Sequence, residues 1–191
     1  METEHDQTIP YNVIKALSHF TATDQTRPVL TRVNVKDGRA AAADGFILAT
    51  APVQTNGFAG QLDAKQILAT AKGVKNPETV YLVTEHSDGP RAVVSSHYGA
   101  TFGPLTVTTD TYPDVDQVIP QLTEEHRSIY VSPALLQKLV NAAKAIDAQA
   151  IRLDIAPEPY AKPIRFSMKV YREQKEPTLS GALMPMHPGT S

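Results

Sequence analysis

A strand-like apolar segment near the C-terminus reads Gly181-Ala182-Leu183-Met184-Pro185-Met186. Its two methionines flank a proline, which is unusual at the end of a simple strand. Methionine side chains are flexible and polarizable, so they suit a surface that accepts differing apolar partners. The alternative is a last core strand followed by a frayed tail. The segment by itself does not separate these two interpretations, and distant parts of the chain are needed.

The composition of the 191 residues is that of a globular protein, with 41% hydrophobic and 20% charged residues. No apolar run reaches the length of a membrane span, and residues 1–6 are acidic and polar, unlike a signal peptide. The chain has no cysteine, so disulfides, thiolate metal sites and a cysteine nucleophile are excluded. We expect a cytoplasmic protein with no membrane partner.

The sequence offers no catalytic constellation. Its six histidines are scattered without metal-ligand spacing, and phosphate loops, nucleophile elbows and dinucleotide fingerprints are missing. Asp110, Asp114 and Asp116 suggest a divalent-cation site, but alternate carboxylates between prolines are more often simply exposed. We therefore predict a non-enzyme with no catalytic residue, no metal and no cofactor.

Three helices are predicted from apolar spacing and capping residues. The first covers residues 11–20 after Pro10, and the second covers residues 63–73 with Asp63 as its cap. The third has Ser132 as its cap and Pro133 at its first position. Its predicted apolar face consists of Leu135, Leu136, Leu139, Val140, Ala143 and Ile146.

Strand signals fill the intervals between the helices, at residues 30–35, 39–43, 46–51, 80–84, 91–95, 151–155, 164–171 and 179–184. Turns are predicted at Asp37-Gly38 and Asp44-Gly45. The order indicates one strand–helix–strands unit used three times, near residues 5–55, 56–108 and 126–186. The proline-flanked acidic segment 110–120 is interpreted as a linker, so we predict domains at 1–120 and 121–191.

Four segments stand in order along the chain: Thr26-Arg27-Pro28-Val29-Leu30, Ala42-Ala43-Asp44-Gly45-Phe46-Ile47-Leu48-Ala49, Tyr112-Pro113-Asp114-Val115-Asp116-Gln117-Val118-Ile119-Pro120 and the Met-Pro-Met ending. Together they resemble the bacterial DNA polymerase III beta sliding clamp family, in truncated or divergent form. The resemblance implies an α+β DNA-clamp fold, with antiparallel sheets outside and helices on the inner face. Residues 1–120 resemble the middle domain of the family, and residues 121–191 resemble the second half of its last domain.

In the family, these segments line an apolar cleft that receives peptides from polymerases, clamp loaders and repair proteins. By resemblance, the peptide-binding residues here are Leu30, Ala43, Gly45, Phe46, Ile47, Leu48, Pro113, Val118, Ala182, Leu183, Met184, Pro185 and Met186. The family often has a histidine–arginine pair at the positions of Phe46 and Ile47, and a basic residue at Gln117. This cleft is therefore expected to be more apolar. The alternative is that these residues are ordinary core.

The resemblance also implies double-stranded DNA as a partner, bound without sequence preference by helix lysines. The candidates are Lys15, Lys65, Lys72, Lys75, Lys138 and Lys144. With Asp63 and Asp147, the helical windows carry a net charge of +4 in a chain of net charge −2. Such a surface would bind phosphates electrostatically. The alternative is that the lysines only solvate exposed helix faces.

A family subunit has six strand–helix–strand units, whereas this sequence has three. The resemblance implies a replication and repair processivity factor that tethers partner proteins through its cleft. The alternative is a peptide-binding module that does not encircle DNA and modulates a replisome. Self-association into a homo-oligomer distinguishes the two, because a closed ring requires a stable multimer.

Overall fold

The computed structural model describes residues 8–55, 57–119, 123, 128–156, 162–169 and 178–186, which form two compact units, Met1–Pro120 and Gln121–Ser191. Unit 1 contains β1 (Thr8–Pro10), α1 (Tyr11–Leu17), β2 (Val33–Lys36), β3 (Arg39–Ala43), β4 (Leu48–Pro52), β5 (Gly60–Leu62), α2 (Ala64–Ala71), β6 (Thr79–Val83), β7 (Arg91–Ser96), β8 (Gly99–Pro104), β9 (Val107–Thr108) and α3 (Val115–Val118). Unit 2 contains α4 (Pro133–Ala145), β10 (Ala150–Asp154), β11 (Ile164–Lys169) and β12 (Leu179–Leu183).

Unit 1 is built from two antiparallel sheets around one core. The strand orders are β1-β6-β7-β8 and β4-β3-β2-β5-β9. Alternate residues of the central strands face inward, because successive side chains of a strand point to opposite faces. Val33, Val35, Val80 and Val94 are accordingly inaccessible to solvent and share the core with Ile14 of α1 and Ile67 of α2.

Unit 2 packs one helix on one sheet, in the strand order β10-β11-β12. Leu139 and Ala143 of α4 are buried against Ile164 and Met168 of β11 and Leu183 of β12. All strand pairs of the described residues are antiparallel, and helices and strands occur together, so the predicted α+β class is confirmed.

The three predicted helices are present, but two are shorter than predicted: α1 ends at Leu17, before a 3-10 turn at Ser18–Phe20, and α2 ends at Ala71. Asp63 caps α2, since its carboxylate accepts hydrogen bonds from the backbone amides of Lys65 and Gln66. Ser132 occupies the cap position of α4, but its hydroxyl makes no capping hydrogen bond. The apolar face of α4 is not wholly buried either, because Leu136 and Val140 are 41% and 39% exposed.

Several strand boundaries differ from the prediction. The strand expected at 30–35 begins only at Val33, because Pro28–Thr31 form a 3-10 turn. The Asp37-Gly38 turn is confirmed, with φ of 50° and 72°, as a two-residue hairpin requires. The turn expected at Asp44-Gly45 is instead a four-residue loop, because the last β3–β4 pair is Ala43 with Leu48.

Residues 110–119 lie just before the boundary between the two units and are held to unit 1. Asp114 caps the short helix α3 by accepting from the amide of Asp116. The buried Gln61 donates to the carbonyl of Asp110, and Arg39 pairs with Asp116. This segment is therefore fixed to the sheet of unit 1. Within the described residues, no helix is long and apolar enough to cross a membrane.

Candidate functional site

A small apolar cluster forms at one end of the β3–β4 hairpin in unit 1. Its buried members are Ala22, Leu30 and Ala43, with Leu48 and Tyr112 packed against them. The amide of Ala22 donates to the carbonyl of Leu30 at 2.9 Å, which joins the 3-10 turn Pro28–Thr31 to the segment after α1. Three of the predicted cleft residues, Leu30, Ala43 and Leu48, are thus brought together by local structure.

The four-residue loop beside this cluster presents its apolar side chains to solvent. Phe46 is 98% exposed and Ile47 is 52% exposed. One carboxylate oxygen of Asp44 accepts hydrogen bonds from the amides of Phe46, at 2.8 Å, and Ile47, at 3.0 Å. These two amides hold the pKa of the Asp44 carboxyl below its usual value, so the bonds form to a charged acceptor. Gly45 has a φ of 96°, which favours glycine.

Tyr112 belongs to the cluster although it was not among the predicted cleft residues. The hydroxyl is buried and has no hydrogen-bond partner among the described residues. Burial raises the pKa of Tyr112 to about 12, and the nearby backbone of Ala43 opposes this shift without reaching hydrogen-bond geometry. Its place in the Tyr-Pro-Asp sequence was the available signal. Pro113 and Val118, which follow it, are exposed.

The remaining predicted cleft residues lie in unit 2. Leu183 is 7% exposed and packs in the core of that unit, whereas Ala182 before it is exposed. Met184 is 62% exposed and Met186 is 38% exposed. Pro185 between them is half-buried. The amide of Met186 donates to the carbonyl of Tyr130 at 2.8 Å, which anchors the segment after β12. The predicted cleft residues therefore fall into two groups, and their union in one groove stays a prediction.

The fold of this chain matches solved structures over almost its whole length. The DNA polymerase sliding clamp of Bacillus subtilis aligns with 97% of this chain at a TM-score of 0.65 and 19% identity. The chain has the sliding-clamp fold. The beta subunit of DNA polymerase from Streptococcus pyogenes gives 0.63, 18% identity and 97% coverage. The sliding clamp of Pseudomonas aeruginosa gives 0.59, 16% identity and 95% coverage.

The chain spans about half the length of these sliding-clamp structures, since it covers 50%, 51% and 51% of their chains. No protein-family model and no curated protein matches its sequence. At these identities the likeness establishes the fold, and the chemistry of the site has to be argued from the residues of this chain.

The lysines expected on the helices of this sliding-clamp fold are all exposed. Lys15 lies on α1, Lys65 on α2, and Lys138 and Lys144 on α4. Two positions need correction, because α2 ends at Ala71 and does not extend to residue 73. Lys72 is the C-cap residue that follows the helix. Lys75 lies beyond it, with its ammonium 4.8 Å from the ring centroid of Tyr98.

A groove of about 630 Å³ lies between the outer face of the β2–β3 hairpin and segment 109–116. Three of its carboxylates have partners, since Arg32 lies 3.6 Å from Asp110, Asp114 caps α3, and Asp116 pairs with Arg39. In the described part of the chain, no group of three histidine or acidic side chains is arranged to hold a metal ion. The groove is lined mainly by polar groups, in contrast to the apolar loop of Phe46 and Ile47.

Proposed function

We propose that this chain is a sliding-clamp-type tether, which captures apolar peptide segments of replication or repair proteins in the manner of a processivity factor. The observation that carries the proposal is the loop 44–47, where Phe46 and Ile47 stand in solvent beside the buried pair Leu30 and Ala43. Exposed apolar side chains on a loop fixed by hydrogen bonds are typical of a binding surface. The sliding-clamp fold supports the same proposal.

The chemistry of this surface favours a peptide with aliphatic or aromatic anchors. Phe46 and Ile47 contribute apolar area, worth about 25 cal/mol for each Å² removed from water. Asp44 is the loop's charged side chain, and its carboxylate is engaged with the loop amides. Acidic peptides therefore gain no charge partner from this loop. On unit 2, Met184 and Met186 offer adaptable apolar contacts to the same class of ligand.

The experiment is fluorescence anisotropy with a labelled peptide that carries leucine and phenylalanine anchors. We expect Phe46→Ala together with Ile47→Ala to weaken binding about tenfold or more, because both side chains lose contact area. Phe102→Ala is the matched control, since Phe102 is a 65% exposed phenylalanine of β8. Met184→Ala tests the contribution of unit 2. Unchanged affinity in the double variant, with circular dichroism intact, would refute the proposed site.

DNA is the second partner in this proposal, through the exposed lysines of α1, α2 and α4. The competing function is a peptide-binding module that does not hold DNA. Retention on DNA distinguishes the two, and peptide affinity does not, because both functions use the same apolar loop.

A further inference from the structure

Unit 1 is made of two equivalent repeats that exchange their first strands. The first repeat is β1-α1-β2-β3-β4 and the second is β5-α2-β6-β7-β8. β1 pairs with β6 of the second repeat, and β5 pairs with β2 of the first. Each repeat thus gives its partner the same element that it receives. This reciprocity is the pattern of a twofold axis within one chain.

The register of the two exchanges is the same. Ile9 lies two residues before α1 and pairs with Val80, the inward residue near the start of β6. Leu62 lies two residues before α2 and pairs with Val33, the inward first residue of β2. All four side chains are inaccessible to solvent. The exchange therefore places these residues in the centre of the shared core.

Unit 2 has the elements of a single repeat. Residues 129–131 precede α4, and β10, β11 and β12 follow it. An antiparallel bridge joins Tyr130, three residues before α4, to Met186, just past β12. In unit 1 the corresponding bridge joins Thr8, three residues before α1, to Gln54, just past β4. Residues 129–131 therefore occupy the place of a first strand.

Among the described residues of unit 2, no strand pairs with the acceptor edge for such a strand. The described strands have the order β10-β11-β12, so β10 is an edge strand. In unit 1 the equivalent strands β6 and β2 each pair on that edge with the exchanged strand. An edge strand presents a row of unpaired backbone N–H and C=O groups, which is a template for pairing with another chain.

Helix positions that are buried between the repeats of unit 1 are exposed in unit 2. The fourth residue of α1 is Ile14 and the fourth residue of α2 is Ile67, both inaccessible to solvent. The fourth residue of α4 is Leu136, which is 41% exposed. The eighth residue of α2, Ala71, is 4% exposed, against 39% for Val140 at the eighth position of α4.

The strand positions show the same difference. The inward residues that pair with the exchanged strands are Val33 in β2 and Val80 in β6. Two residues further along lie Val35 and Leu82, which are 0% and 5% exposed. The equivalent residue of β10 is Leu153, which is 40% exposed. Ile155 and Leu179 add exposures of 44% and 39%. Together with Leu136 and Val140, these residues form the open face of unit 2.

We propose that a second copy of this chain covers the open face and completes the domain by a symmetric exchange. Residues 129–131 of each copy pair antiparallel with β10 of the other, with Val131 opposite Ile151 of the second copy. A second copy is the partner because unit 2 has both the first-strand segment, residues 129–131, and the edge of β10 with which such a segment pairs. A surface that is complementary to itself closes as a twofold dimer. This inference does not depend on peptide binding.

The first test is the mass of the full chain by light scattering and analytical ultracentrifugation. We expect a dimer of twice 20.7 kDa. Leu136→Lys with Leu153→Lys should raise its dissociation constant at least about a hundredfold, because each charge enters a symmetric interface twice. Both side chains are exposed in the single chain, so circular dichroism should not change. Phe102→Lys is the control and should leave the dimer intact.

The second test uses disulfide trapping, which is free of background because the chain has no cysteine. Directly opposite residues of antiparallel strands have Cα atoms about 4.5–5.5 Å apart, within the range of a disulfide. Val131→Cys with Ile151→Cys should give a covalent dimer under oxidation. Val131→Cys with Arg152→Cys is the control, because successive strand residues point to opposite faces.

Three outcomes would overturn the proposal. They are a monomer at every concentration up to about 100 μM, a dimer that the two lysine substitutions leave unchanged, and equal trapping by the two cysteine pairs. If the chain stays a monomer and its open face binds only a different protein, that protein is the partner of the face and the proposed dimer is wrong.

Discussion

The Asp44 carboxylate orders the loop that carries Phe46 and Ile47. Its carboxylate accepts from the amides of Phe46 and Ile47, and these bonds lower its pKa from the usual value of 3.8. A lowered pKa means that the bonds are fully present above the unfolded value and are lost as the pH falls through the folded value. We therefore expect constant loop order from neutral pH down to about pH 4, and loosening below it.

The check is hydrogen exchange of the two loop amides in Asp44→Ala. Without the acceptor, exchange at Phe46 and Ile47 should become several-fold faster and peptide affinity should fall. Asp24→Ala is the matched control, because Asp24 accepts from the amide of Thr26 in another loop and also has a lowered pKa. Equal exchange rates in wild type and Asp44→Ala would mean that the carboxylate does not order the loop.

At the scale of single residues, the family resemblance named Leu30, Ala43 and Leu48 as members of one cleft, and these three side chains do cluster in unit 1. Their part in binding a peptide stays a prediction. The Tyr-Pro-Asp motif marks Tyr112 as a residue of interest but does not show that its side chain packs against the cluster. Its side chain is enclosed only because segment 110–119 is fixed to the sheet, and the bonds that fix it join residues far apart in sequence.

At the scale of elements, β8 was missing from the predicted strands for a physical reason. Its sequence begins with Gly99 and ends with Gly103 and Pro104, residues that weaken a strand signal. Gly103 is required there by packing and not by a turn. A Cβ at this position would collide with the hydroxyl of Thr70 on α2. The helix can approach the sheet closely because the strand has no side chain at this point.

Gly103→Ala should therefore destabilise unit 1 by about 1–3 kcal/mol, the usual cost of overpacking. Thr70→Ala removes the hydroxyl and methyl that meet the new Cβ, so the double variant should recover most of the loss. Urea denaturation of the four proteins of this cycle measures the coupling. Additive effects of the two substitutions would show that the collision is relieved elsewhere.

At the scale of the whole molecule, the repeated strand–helix–strands unit was visible in the sequence, since each copy carries its own helix with apolar periodicity. The exchange of first strands was not visible. Those strands are only three residues long in unit 1, and their partners lie about 70 or 30 residues away. Sequence periodicity reports which face of an element is apolar, whereas the element that covers that face is decided by tertiary pairing.

The charge distribution of the whole molecule leads to the last prediction. A chain of net charge −2 can hold DNA only through segregated positive charge, and exposed lysines lie on α1, α2 and α4. The triple variant with Lys65→Glu, Lys72→Glu and Lys138→Glu should lose retention of double-stranded DNA at low salt. Each lysine–phosphate contact that is lost removes an electrostatic contribution to the affinity, and it reduces the slope of log K against log salt by about one.

The matched control makes the same change of charge away from the helices, with Lys36→Glu, Lys162→Glu and Arg165→Glu. All three of these side chains are exposed. If both triple variants lose DNA equally, retention reflects net charge and not a helix surface. If neither loses it, the helix lysines do not contact DNA. In the first case the positive charge that holds DNA is spread over the surface, and in the second the proposed tether would act through peptide capture alone.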